Sequence, residues 1–223
     1  MNIRRNVLIC IAASLLCVPL GYGQDLSKYR NFSLGTSLAE LSKQLKGKPA
    51  DAQITYQNPA LIQELIWLPG QSYPSPAQPE SVQEIRFSFY NGELYKIAVT
   101  YGNLATEGLT VEDMVTAISA KYGAATRPVA VPAPTALADT FTKQPVAFWE
   151  DAQYSLTLSR SSLSDAFQLV MYSKQLNGQA DAAIAEAVKQ EREGAPQREI
   201  ARAKKQIDDL ETTRQANLKV FRP

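Results

Sequence analysis

Apolar and polar residues alternate most regularly between Ser81 and Tyr101, SVQEIRFSFYNGELYKIAVTY. Ile85, Phe87 and Phe89 precede Asn91-Gly92, and Tyr95, Ile97, Val99 and Tyr101 follow it. A period of two on both sides of an Asn-Gly pair predicts two half-buried strands joined by a tight turn. Parity selects the turn. A two-residue Asn-Gly loop sets Phe87 opposite Lys96 and sends the apolar residues to opposite faces. A three-residue loop Tyr90-Asn91-Gly92, with Gly92 left-handed, pairs Phe87 with Tyr95 and Ile85 with Ile97, and is the expectation.

A helical period precedes this hairpin and another follows it. In GTSLAELSKQLKGKP, Leu38, Leu41 and Leu45 form one stripe, with Thr36 or Ser37 to cap it and Gly47 and Pro49 to end it. In GLTVEDMVTAISAKYG, Val111, Met114 and Ile118 form the same stripe, with Thr110 as cap, Asp113 three residues on, and Gly123 as stop. Gly35 and Gly108 are 73 residues apart, and the three apolar pairs and Lys48/Lys121 keep that offset. This is the mark of an internal repeat. The strands follow suit: Leu65–Leu68, Val82–Tyr90 and Leu94–Tyr101 in the first unit, Val146–Trp149, Gln153–Arg160 and Ala166–Ser173 in the second. Each unit carries its single Trp, Trp67 or Trp149, on its first strand. Equivalent places favour a shared core role over exposed binding anchors.

The pattern therefore predicts an α+β protein of two tandem α-β-β-β units, with an antiparallel sheet and helices on one face. The units span residues 24–105 and 106–176. Proline-rich stretches, Pro69–Glu80 and Ala124–Pro145, read as surface loops. Beyond residue 176 the composition turns to Ala, Gln, Glu, Lys and Arg. This tail, 177–223, reads as two helices, Gln179–Glu193 and Pro196–Val220, broken at Gly194-Ala195-Pro196. Ile200, Ala203, Ile207 and Leu210 are spaced as a and d positions, but Arg214 and Asn217 end the pattern early.

Composition adds compartment and exclusions. Residues 1–23 join a basic start (Arg4, Arg5) to an apolar run from Val7 to Leu20, with Gly21 and Gly23 placed for cleavage before Gln24. This is a secretory signal peptide's layout, and it predicts a periplasmic or secreted protein. An uncleaved anchor is the alternative; the run is shorter than the roughly 20 residues a spanning helix needs. Leu16 before Cys17 argues against lipidation at that cysteine. Both cysteines, Cys10 and Cys17, fall in this segment, so the mature chain relies on its core rather than on disulfides. Cleavage leaves 21 basic against 22 acidic residues. Near-neutrality offers no footprint for nucleic acid or an anionic membrane. The chain has no histidine, which excludes His-based nucleophile systems and nearly all zinc sites. No cofactor or metal is implied.

The run Gly35-Thr36-Ser37, Leu41, Leu45 to Pro49, followed by a Trp-bearing strand and an Asn-Gly hairpin, resembles the exported α/β modules of the β-lactamase-inhibitor-protein type. It is also similar to the related small lipoproteins of the outer-membrane barrel-assembly machinery. The resemblance implies helices packed on one face of an antiparallel sheet, tandem modules, and binding of other proteins. None of that group's functional residues matches here position by position.

Candidate chemistry is sparse. With the apolar strand residues on one face, the opposite face carries Arg86, Ser88, Lys96, Thr157, Ser159 and Tyr172, either a solvated surface or a partner-binding one. Adjacent carboxylates on a strand point to opposite faces, so Glu150-Asp151 marks a hairpin turn, and Glu112-Asp113 complements a helix start. The five serines of Ser155–Asp165 lack a Ser-x-x-Lys partner and read as strand and turn residues. The sequence thus points to a non-enzymatic interaction module whose partner is an envelope or secreted protein. A scaffold self-associating through the tail and a hydrolase using carboxylates or Lys are the rivals.

Overall fold

A computed structural model describes residues 25–48, 51–69, 81–127, 143–161 and 166–222. The expected leader, 1–23, and most of both proline-rich stretches lie outside the described residues. The elements are β1 (Lys28–Tyr29), β2 (Phe32–Ser33), α1 (Leu38–Gln44), β3 (Gln53–Tyr56), β4 (Ile62–Trp67), β5 (Val82–Tyr90), β6 (Glu93–Tyr101), α2 (Asn103–Thr106), α3 (Val111–Tyr122), β7 (Lys143–Glu150), β8 (Tyr154–Ser161), β9 (Phe167–Ser173) and α4 (Lys174–Val220).

The protein is α+β. Seven strands make one antiparallel sheet in the order β3-β4-β5-β6-β9-β8-β7, and β1 and β2 form a separate hairpin. Strands β4-β5-β6 and β9-β8-β7 meet at their last members, with β6 paired to β9 through Lys96–Thr100 and Gln168–Tyr172. The two sequence units thus lie side by side in a single sheet. Local geometry repeats as well. Gly35 and Gly108 both have left-handed φ, 85° and 77°. Ser37 and Thr110 each cap a helix with a full capping box, closed by Glu40 and Asp113 respectively.

One face of the sheet carries the main core. Leu41 of α1 and Met114, Val115 and Ile118 of α3 pack there on Ile85, Phe87, Phe89, Ile97, Leu156, Leu158 and Leu169. Trp149 is buried there and donates from Nε1 to the Gly123 carbonyl at 2.8 Å, while half-buried Trp67 meets Phe32 edge-on at 5.6 Å. Trp149 is thus a core residue, and Trp67 packs against the edge of the same core.

The central hairpin departs from the expected register. Tyr90 pairs with Glu93 across a two-residue turn, Asn91 (φ 50°) and Gly92 (φ 84°). Two successive positive φ values are what Asn-Gly supplies best. Parity is restored inside the strands instead. Ser88 pairs with Lys96 and Phe89 with Leu94, which leaves Tyr95 as the extra residue of a bulge. Beyond it Phe87 faces Ile97 and Ile85 faces Val99. Leu94 therefore enters the main core, and Tyr95 turns to the other face.

The tail also differs. Residues 174–220 form one continuous helix with Pro196 inside it, where two helices were expected. Proline removes one N–H donor and crowds the carbonyl four residues back. On the adjoining turn Arg198 folds back and donates to the Glu191 carbonyl at 2.7 Å. A Cβ on Gly194 would stand 2.9 Å from the outer end of the Arg198 side chain, which lies over the glycine. The first turns of α4 cover part of the second sheet face, where fully buried Ala180 packs with Ile62 and Tyr95. The helices of the two units, α1 and α3, lie on one face as expected, and the start of the tail helix α4 packs on the other. Pro145, expected in a loop, sits in edge strand β7 at a register shift, where a missing donor is tolerated. No helix among the described residues is long and apolar enough to cross a membrane.

Candidate functional site

The six residues expected on the polar sheet face share one face of the seven-stranded sheet. Directly paired residues in antiparallel strands lie on the same side. Ser88, Lys96 and Tyr172 form one rung, through Ser88↔Lys96 and Lys96↔Tyr172. Arg86 and Thr157 belong to the next, joined through Ala98 and Val170. Ser159 lies opposite Gln168, itself paired with Thr100. Arg86, Lys96, Thr157, Ser159 and Tyr172 are exposed or half-exposed, but Ser88 is buried.

Around Ser88 the face is a polar network. Arg86 pairs with Glu84 at 3.2 Å and with Glu64 at 3.7 Å. Ser88 Oγ donates to Glu64 Oε1 at 3.5 Å, and Lys96 Nζ stands 5.3 Å from the Tyr95 ring centre. Burial, with the charges of Asp181 and Glu64, pushes the Tyr95 phenol up to about 12. That hydroxyl stays protonated at neutral pH and cannot serve as a base. Opposite charges here satisfy one another, an arrangement suited to a wet surface or contact.

Other sequence candidates take structural roles. Asp151 Oδ1 accepts from the Gln153 and Tyr154 amides at 2.7 Å each, closing the β7–β8 turn, and Glu150 pairs with Lys174 at 2.7 Å. Asp113 accepts from the Thr110 amide and hydroxyl, and these bonds hold its carboxyl below the usual value. Ser155–Ser161 belong to β8, while 162–165 lie outside the described residues.

A second feature escaped the sequence reading. A cavity of about 330 Å³ opens between the β1–β2 turn, the end of β6, α2 and α3. Met114, Ile118 and Leu169 supply apolar wall, and Tyr29, Tyr101 and Tyr122 give aromatic surface. The Tyr122 hydroxyl donates to the Lys28 carbonyl at 2.8 Å, and Tyr101 hydrogen-bonds Tyr29. Burial, seconded by nearby Tyr29, raises the Tyr101 and Tyr122 phenols well above their ordinary value. At the rim Lys121 Nζ lies 5.0 Å from the Tyr122 ring centre and 5.9 Å from that of Tyr29. Arg30, on a left-handed φ of 51°, stacks on Tyr29 at 5.6 Å. The sequence signal was slight: Tyr122 extends the α3 stripe four residues past Ile118.

A family model, the TP0088 domain, matches residues 27–178. That is more than half of the chain, and it takes in the whole sheet and the first five residues of α4, 174–178. The chain belongs to the TP0088 domain family. No curated protein matches it, and no solved structure does. The matched span ends within the first turns of α4, so the distal helix is an extension of this chain beyond the TP0088 domain match.

Proposed function

We propose that this TP0088-domain protein is an exported, non-enzymatic interaction module of the cell envelope, which holds an envelope or secreted protein through distal α4 and the adjoining wet sheet face. The distal helix carries the reading. Residues 196–222 are exposed throughout, and Ile200, Ile207 and Leu210 stand 71%, 66% and 70% open. Residues 196–220 extend roughly 37 Å at about 1.5 Å per residue, a long apolar-studded rod with no cover among the described residues. The leader-like residues 1–23 and the resemblance to exported α/β modules support the compartment.

Capture from envelope extract tests it, using the protein and a variant carrying Ile200→Gln, Ile207→Gln and Leu210→Gln. The expected result is a partner held by the parent and lost by the variant. The same partner held equally by both would move binding to the sheet face, and capture of nothing would count against the module. The spacing of Ile200, Ala203, Ile207 and Leu210 favours a second reading, self-association through paired tails, and concentration-dependent sedimentation separates it from the first.

A further inference from the structure

We infer that the cavity between the β1–β2 turn, β6, α2 and α3 binds a small amphiphilic carboxylic acid, its apolar body inside and its carboxylate at Lys121. Size sets the first limit. A volume of 330 Å³ equals about ten water molecules at roughly 30 Å³ each, which suits a body of about ten to fifteen non-hydrogen atoms. The wall sets the second. Met114, Ile118, Leu169 and the tyrosine rings offer a sugar-like ligand few partners for its hydroxyls, and buried unpaired polar groups are costly.

Charge at the mouth sets the third. Lys121 and Arg30 line the cavity, and no acidic side chain is among its lining residues. The acid whose charge acts on Tyr122 is Asp25, which is engaged by Ser27 and by Lys28 at 3.3 Å. The phenols are neutral at neutral pH, as ordinary tyrosines are, and burial moves their ionisation further away, so they add no negative charge against an anion. A cationic ligand would meet like charge at the entrance. A carboxylate there gains a charge-assisted bond from an ammonium already resting on two aromatic faces. This site is separate from the distal helix, and its test does not depend on a protein partner.

Isothermal titration calorimetry of protein expressed from the full sequence, with octanoate and with octan-1-ol, decides the matter. Saturable one-to-one binding of octanoate is expected, with the alcohol at least about tenfold weaker, the scale of a lost charge-assisted hydrogen bond. Lys121→Met should weaken octanoate to the level of the alcohol and leave the alcohol unchanged. Ala117→Trp, at an exposed α3 position on the rim, should block both ligands while circular dichroism stays that of the parent. Absence of octanoate binding, equal binding of acid and alcohol, or octanoate binding unchanged in either variant would overturn the assignment.

Discussion

The two ends of α4 obey the same helical geometry and meet opposite fates. Near its start, Ala180, Ala183 and Ala187 are buried, with Leu176 and Ile184 packed against the cluster of Ile62 and Tyr95. Small residues let the helix lie close to the sheet. Past Pro196 the larger apolar residues, Ile200, Ile207 and Leu210, face solvent instead. Burial thus follows the covering surface rather than hydrophobicity alone. A root fixed by alanines and a shaft bearing uncovered isoleucine and leucine suit a helix that is anchored in the sheet and offered to something else.

The contrast predicts its largest effect at the root. Ala180→Glu buries a charge beside Tyr95 and should cost roughly 3–5 kcal/mol in urea unfolding, the scale of an uncompensated buried charge. Ala203→Glu on the shaft should change stability by no more than about 0.5 kcal/mol. Equal effects of the two would erase the distinction. Next, the capping boxes of the sheet body: Ser37→Ala and Thr110→Ala should each cost about 1 kcal/mol and add together, because the caps belong to separate helices.

Pro196→Ala should act locally. Restoring the N–H favours helix by about 3 kcal/mol at that position, so amides just beyond it should exchange more slowly. The global urea midpoint should stay put, since the shaft is not packed on the sheet. The smallest effect concerns acid. Hydrogen bonds from Thr110 lower the folded-state value of Asp113 from its ordinary 3.8. Its stabilisation is therefore present above that ordinary value and is lost as pH falls through the folded one. Thr110→Ala should flatten part of the acid limb of stability measured between neutral pH and pH 3, and an unchanged limb would refute the assignment.

Much of the sheet was legible because period two survives locally. Val82–Tyr90 and both capped helices follow directly from side-chain type and spacing. The bulge at Tyr95 was not, since one extra residue leaves Tyr95, Ile97 and Val99 looking like a single face. Short β1 and β2 are too brief to show a period, and β3 is mostly exposed. Gly194-Ala195-Pro196 carries every local sign of a break, and no local pattern announces that the helix runs on through it. The polar face could be read from alternation, whereas its partial cover by α4 could not. The cavity joins Tyr29 to Tyr122 across 93 positions, a juxtaposition that depends on how α3 packs and leaves no local pattern.

Native-state amide hydrogen exchange along α4, at low protein concentration, tests the rooted-shaft account most directly. The amides of residues 180–187 should exchange with the protection of the central strands, and those of residues 200–218 at least about a hundredfold faster, as exposed segments with few packed contacts do. Uniform protection along the whole helix would contradict it, because the shaft would then be packed rather than offered.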